Sequence, residues 1–261
     1  MPGRLDGELV IVTGATSGIG RTIASRFAAE GAAVVASGRS AERGAAVVEE
    51  IKRAGGSATF LAADLGSAES CAEVVDVAAE RLGGLTVLVN NAAATGAQDA
   101  GISDLEAEAW IEAWTETLAI GLTAPMLLTR ASVAHMRGAG HGSIVNISSR
   151  QACRPSAGHA AYAASKAGLE GLTRAAAVDL AVDHIRVNAI SPGYVIHEVR
   201  DADMSSDRRA RFEAMHLTRL GEAGDVAAAA VYLASRESEF VTGITLALDG
   251  GSSIARGAVL G

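Results

Sequence analysis

Short, almost unbroken apolar runs recur along the chain, separated by longer Ala- and Leu-rich stretches whose apolar positions repeat at helical spacing. The short runs predict strands at Leu9–Thr13, Ala33–Ser37, Ala58–Ala62, Thr86–Asn90, Ser143–Ile147, Arg186–Ala189 and Thr245–Leu248. Continuous apolarity, rather than alternation, is what a strand needs when helices cover both faces of its sheet. The longer stretches predict helices at Ile19–Glu30, Ala41–Ala54, Ala68–Leu82, Trp110–Met136 and Ala161–Val182. Strand–helix alternation of this kind implies right-handed crossovers and one parallel sheet, an α/β fold of three layers. No Pro/Gly/Ser-rich linker or internal repeat divides the chain, so 1–261 reads as a single domain. Within it the polar, charged segment 193–220 is expected to form a lid beside whatever binds.

Composition narrows the function. Hydrophobic residues are 49% of the 261, enough for a sizeable core, and 22 Lys+Arg against 30 Asp+Glu give a net charge of −8. That sign, with no basic cluster, argues against a nucleic-acid partner. No uninterrupted apolar run reaches the length of a membrane span, and the N-terminus carries acidic residues where a signal peptide needs an apolar stretch. Cys71 and Cys153 form no CxxC or disulfide framework, and the six histidines show no metal spacing. A cytoplasmic protein without a metal is expected.

Leu9–Thr13 runs into Gly14-Ala-Thr-Ser17-Gly18-Ile19-Gly20 and then a helix. Glycines there let the turn tighten and let backbone approach a pyrophosphate, while the helix offers its N-terminal N–H groups and dipole. The spacing is TGxxxGxG rather than GxGxxG, and it lacks the GK[ST] of a P-loop. Alone, it is also compatible with a strand–helix turn that binds nothing. About twenty residues on, where a carboxylate would hold the ribose hydroxyls of NAD, the chain reads Ser37-Gly38-Arg39-Ser40. Arg39 suits a 2′-phosphate, with Ser37 or Ser40 as helpers, so NADP(H) is favoured over NAD(H), which stays open.

Ser143–Ser149 ends a buried strand, and thirteen residues after Ser149 comes Tyr162-Ala-Ala-Ser-Lys166, opening an apolar helix. Residues i and i+4 share one helical face. An ammonium beside a phenol is expected to pull its pKa down from about 10, making Tyr162 a general acid/base, with a serine hydroxyl donating to the same carbonyl oxygen. A lone YxxxK is more often a packed ring and a solvated amine; the glycine turn and the serine make it specific. A serine hydrolase is excluded by the lack of a GxSxG elbow.

With these motifs, nearly the whole chain resembles the short-chain dehydrogenase/reductase family. The residues that carry the resemblance are Thr13-Gly14…Gly18-x-Gly20, Asp64-Leu65, Asn90-Asn91-Ala92-Ala93, Ser149, Tyr162-x-x-x-Lys166, Asn188, Pro192-Gly193 and Val241…Leu248-Asp-Gly-Gly251. The resemblance implies a doubly wound Rossmann fold with a seven-stranded parallel sheet, and a homotetramer built on the Trp110–Met136 and Ala161–Val182 helices. It places Asp64 and Leu65 against adenine, Asn91 and Ala92 beside the adenosine ribose, and Pro192, Gly193 and Val195 over the nicotinamide. It also implies hydride transfer between a nicotinamide and a carbonyl: Ser149 polarises the carbonyl, Tyr162 transfers the proton, and Lys166 holds the ribose.

Two departures stand out. Gly121 occupies the position where the family usually has an Asn at a helix distortion, although Gly inside a helix costs about 0.5–1 kcal/mol against Ala. Pro125 crowds and frees the carbonyl four residues back, that of Gly121, so a distortion is expected whatever the side chain. A water bridging that carbonyl to Lys166 would keep the proton path. The alternative is a cofactor-binding regulatory protein with weak or no turnover. His197 stands where the family commonly has Thr, and either contacts the cofactor, faces the substrate or does neither. Arg150 and His159 are further substrate-side candidates with surface roles as the plain alternative, whereas Cys71 and Cys153 read as non-functional. The substrate is not legible.

Overall fold

The computed structural model describes residues 3–94, 102–103, 106–198 and 200–255, so Val199 of the expected lid and both ends of the expected 1–261 domain lie outside the described residues. Among the described residues the elements run β1 (Leu9–Thr13), α1 (Gly18–Ala29), β2 (Ala33–Gly38), α2 (Ala41–Arg53), β3 (Ser57–Ala62), α3 (Ala68–Leu82) and β4 (Val87–Asn90). They continue with α4 (Ala107–Leu118), α5 (Ala124–Ala139), β5 (Gly142–Ile147), α6 (Ala160–Asp179), β6 (Ile185–Pro192), α7 (Ser206–Glu213), α8 (Ala223–Ala234) and β7 (Thr245–Leu248). The strands form one seven-stranded sheet in the order β3-β2-β1-β4-β5-β6-β7, parallel at every pairing. This is the doubly wound Rossmann arrangement. Its order reverses between β1 and β4, where a crevice opens beyond the strands' C-terminal ends.

The apolar runs are explained by burial on both faces. Along β1, Val10 and Val12 join a core with Ile23 and Phe27 of α1 and Val226 and Val231 of α8. Ile11, between them, packs into the opposite core with Val74 and Val75 of α3 and Leu128 of α5. Each of these β1 side chains has no exposed surface, and burying an aliphatic side chain is worth about 1.5–3 kcal/mol. Helices start at polar caps: Ser40 Oγ accepts from the Arg43 amide (3.3 Å), and Ser67 Oγ from the Ser70 amide (3.1 Å).

The long helix predicted over Trp110–Met136 is longer and is interrupted: α4 and α5 are joined through a π-helical turn at Ala119–Thr123, two residues ahead of Pro125. The distortion expected from proline is present. By length and apolarity this rod matches a membrane span, yet α5 packs on α3 and β4 and α4 packs on α6, as core helices do. A Cβ on Gly121 would lie 2.9 Å from Ser165 Oγ and 3.1 Å from its Cβ. A side chain here would press on Ser165 of α6 and force it to shift, a physical reason for the glycine. Helices α7 and α8 were not anticipated by apolar spacing: α7 carries mostly charged residues, and α8 is apolar nearly all round.

Candidate active site

The glycine turn leaves the buried end of β1 and is pinned from β4. Thr13 Oγ1 accepts from the amides of Asn91 (3.0 Å) and Ala92 (3.1 Å), while Asn91 Nδ2 donates to the carbonyls of Thr13 (2.9 Å) and Gly14 (3.2 Å). A side chain at Gly20 would sit 2.3 Å from the Gly14 carbonyl oxygen, so the turn closes only on glycine there. Gly18 has φ +51° and opens α1. The turn borders a cleft of about 320 Å3, which brings together Gly14, Ser17, Gly18, Ile19 and Gly20 with Arg39, Asp64, Leu65, Asn91, Ala92 and Val195. Pro192 and Gly193 lie beyond this lining, Pro192 at the end of β6 and Gly193 against Asp249.

At the β2 edge Arg39 is joined by Arg43 from the first turn of α2. Arg43 had a sequence signal, the i+4 spacing from Arg39 across a helix start, that reading the strand end alone missed. Ser40 is committed as the cap of α2, whereas the buried Ser37 Oγ has no hydrogen-bond partner among the described residues. A helix N-terminus at a glycine turn, two guanidiniums at the neighbouring strand end and a cleft between them fit a dinucleotide with a 2′-phosphate. Asp64 turns its carboxylate back onto the Gly66 amide (3.1 Å).

His197 stands over this turn. A methyl on Gly18 would come 2.7 Å from its Cδ2 and 2.8 Å from its Nε2. Its Nδ1 accepts from the Arg200 amide (3.2 Å), so the neutral ring carries its proton on Nε2. The residue therefore borders the glycine side of the cleft. Arg150 begins a short 3-10 turn directly after Ser149 and is half-buried, and His159 stands at the N-cap position of α6 with its Nδ1 on the Ala157 carbonyl (2.9 Å), outside the helix.

The serine, tyrosine and lysine meet where α6 lies against the end of β5. Asn146 donates to Thr173 Oγ1 (2.9 Å) and Ser148 to Glu170 (2.7 Å), fixing how the helix sits along the strand. Lys166, only 2% exposed, donates from Nζ to the Ile147 carbonyl (2.8 Å), and Nζ lies 5.6 Å from the centre of the Tyr162 ring. Burial pulls its pKa from 10.5 to about 8. The Tyr162 phenol is not drawn down by this ammonium, contrary to the sequence expectation. Burial pushes it above its ordinary value, opposed by a hydrogen bond from Ser149 and by the charge of Arg200. The reason is geometric: the ammonium is spent on the Ile147 carbonyl, and the loss of solvent around the phenol outweighs the hydrogen bond and the Arg200 charge.

Arg200 lines the cleft and so links it to Tyr162. It is held by Asp201, whose side chain is 2% exposed. Burial would raise the Asp201 carboxyl, but bonds from Arg200, the His197 amide (2.9 Å) and the Tyr194 hydroxyl (2.8 Å) hold it down at about 2. Tyr194 also stacks on Phe212 of α7, with ring centres 3.8 Å apart. This hub of the expected lid had no sequence signature, since its members are scattered through irregular chain.

A family model described as Enoyl-(Acyl carrier protein) reductase matches residues 14–253. The 2,5-dichloro-2,5-cyclohexadiene-1,4-diol dehydrogenase LinX of Sphingobium indicum is 36% identical over 97% of this chain and 99% of its own length. The 3beta-hydroxysteroid dehydrogenase 1 of Eggerthella lenta is 39% identical over 97% of this chain and 96% of its own. A crystal structure from Beutenbergia cavernae, assigned as an NAD(P)-dependent gluconate 5-dehydrogenase and holding NADP at low occupancy, superimposes with TM-score 0.88 at 37% identity, covering 98% of this chain and all of the other.

Proposed function

The chain belongs to the short-chain dehydrogenase/reductase family, and on that premise we propose that it is an NADP(H)-dependent oxidoreductase interconverting a secondary alcohol and a ketone. The reading is carried by one juxtaposition: Ser149, Tyr162 and Lys166 at the end of β5, beside a glycine-turn cleft edged by Arg39 and Arg43.

Bound nicotinamide supplies or accepts the hydride at the carbonyl carbon. Ser149 donates a hydrogen bond to the carbonyl oxygen, and the Tyr162 hydroxyl gives that oxygen its proton in reduction and takes it back in oxidation. A phenol held high by burial stays loaded with its proton at neutral pH, which suits donation to a developing alkoxide. Lys166 stands behind it as the positive charge. In the cleft, Arg39 and Arg43 take the 2′-phosphate, Asp64 and Leu65 the adenine, and Asn91 and Ala92 the adenosine ribose. The Gly18 amide and His197 Nε2–H take the diphosphate, and Pro192, Gly193 and Val195 cover the nicotinamide. The segment 193–220 acts as the lid.

Two of the relatives are named for ring-borne alcohols, which sets the substrate panel: cyclic ketones and 3-oxosteroids, with an oxoacyl thioester as the open-chain comparison. Exposed Ile111, Val178 and Val182 on α4, α6 and the turn after α6 favour the homotetramer. The test is loss of NADPH absorbance over that panel, and its gain with the matching alcohols. Ketone-dependent oxidation that is faster with NADPH than with NADH supports the reading. Cofactor binding without oxidation or reduction across the panel would favour a regulatory binding protein instead.

A further inference from the structure

His216 lies outside the glycine turn and outside the Ser–Tyr–Lys group, yet it ties two parts of the cleft's cover together. It is 8% exposed and follows α7, with its amide bonded to the Glu213 carbonyl (3.0 Å). Its Nδ1 is 2.7 Å from the Phe212 carbonyl, an oxygen that only accepts, so Nδ1 carries the proton. That leaves Nε2 as an acceptor, and the Tyr194 amide donates to it (3.2 Å). A methyl on Gly193 would lie 2.9 Å from the same Nε2, so the ring is packed directly on the loop that leaves β6. The second tie is the stack of Tyr194 on Phe212.

We propose that His216 is a positioning residue that clasps α7 to the loop Gly193–Val195, and that the clasp holds only while its imidazole is neutral. A second proton on the ring would sit on Nε2, remove the acceptor and leave the Tyr194 amide without it. The surroundings do not offset this. From the turn after β7, Asp249 spends its carboxylate on the amides of Gly251 (3.0 Å) and Ser253 (2.7 Å) and the hydroxyl of Ser252 (3.3 Å). From the 217–221 segment, Arg219 is paired with Asp225 of α8 (2.7 Å). Glu213 on α7 is bound by Arg209 (2.9 Å). Among the described residues no carboxylate lies within ion-pair distance of His216. The ring borders a cavity of about 500 Å3 shared with Arg219 and Asp225, through which a proton reaches it.

The functional consequence rests on the reading that this loop covers the reacting end of the cleft: a second proton on the His216 ring, by removing the acceptor of the Tyr194 amide, loosens that cover. Hydrogen exchange on the cofactor-free protein tests the clasp independently of turnover. From about pH 8 to about pH 5.5, after correction for intrinsic rates, protection of the Tyr194 amide should fall about tenfold, the worth of one ordinary hydrogen bond. In His216→Gln, whose side-chain carbonyl accepts at the same place and does not titrate, protection should change less than about twofold. Equal profiles in the two proteins, or a flat one in the wild type, overturn the proposal. Nitrogen-15 spectra of the wild-type ring, which need no variant, should show the Nδ1–H tautomer at high pH. An Nε2–H tautomer overturns it too. An enzyme with no turnover but this exchange behaviour would remove the functional reading and leave the clasp.

Discussion

The two sides of the cleft are built from different materials. On the glycine side, shape comes from backbone: β1, its turn and α1 are locked by Thr13 and Asn91, and Gly20 admits no atom beyond hydrogen. On the other side, chemistry comes from side chains whose protonation is set by burial, with Lys166 drawn to about 8 and Tyr162 pushed up. The first side is therefore sensitive to added volume and to the charges at its rim, the second to the cost of placing ionisable groups inside a protein. The residue at the junction, Gly121, obeys the volume rule although it sits beside the chemistry.

Substitutions that exchange these sensitivities sharpen the contrast. Arg39→Asp replaces a rim guanidinium by a carboxylate. It should lower the preference for NADPH over NADH by about 10²- to 10³-fold, the loss of a charge-assisted bond plus like-charge repulsion, while activity with NADH persists. Unchanged selectivity in kcat/KM would remove Arg39 from the site. Arg43→Ala should shift the same ratio by about tenfold.

Lys166 makes the complementary case, where the cost lies in burial. Its folded pKa is depressed, so the unfolded chain holds the proton more tightly. Stability therefore rises with pH between about 8 and 10 as the folded protein releases it, by up to about 3 kcal/mol, and the deficit is complete below pH 8. Lys166→Met should lack this rise, so the difference between the two urea-unfolding stabilities should shrink as pH climbs. A constant difference would show that the lysine is solvated. The junction is tested through stability alone: Gly121→Asn should cost about 2 kcal/mol through overpacking on Ser165, with a lower melting temperature, and Ser165→Gly in the same chain should recover part of it.

Much of the fold was legible because burial on both sides of a parallel sheet writes itself as continuous apolar runs; all seven strands overlap their predicted spans, and β6 was extended to Pro192 by its pairing with β7. A distortion here was legible from Pro125 together with the resemblance at Gly121, but its π-helical form was not. What could not be read were states set by distant contacts. No local pattern foretells that Lys166 would spend its ammonium on the Ile147 carbonyl, or that Tyr162 would be raised rather than lowered. Asp201, Tyr194, Phe212 and His216 share no periodicity, and only the folded chain assembles them.

The separation between a backbone-built binding side and a side-chain-built reacting side is tested most directly in Tyr162→Phe, by measuring turnover and NADPH affinity on the same preparation. The expected result is a fall in kcat of about 10³-fold, with the Kd for NADPH, followed by cofactor fluorescence, within about threefold of wild type. Turnover close to wild type, or an affinity lost as completely as the activity, would contradict it.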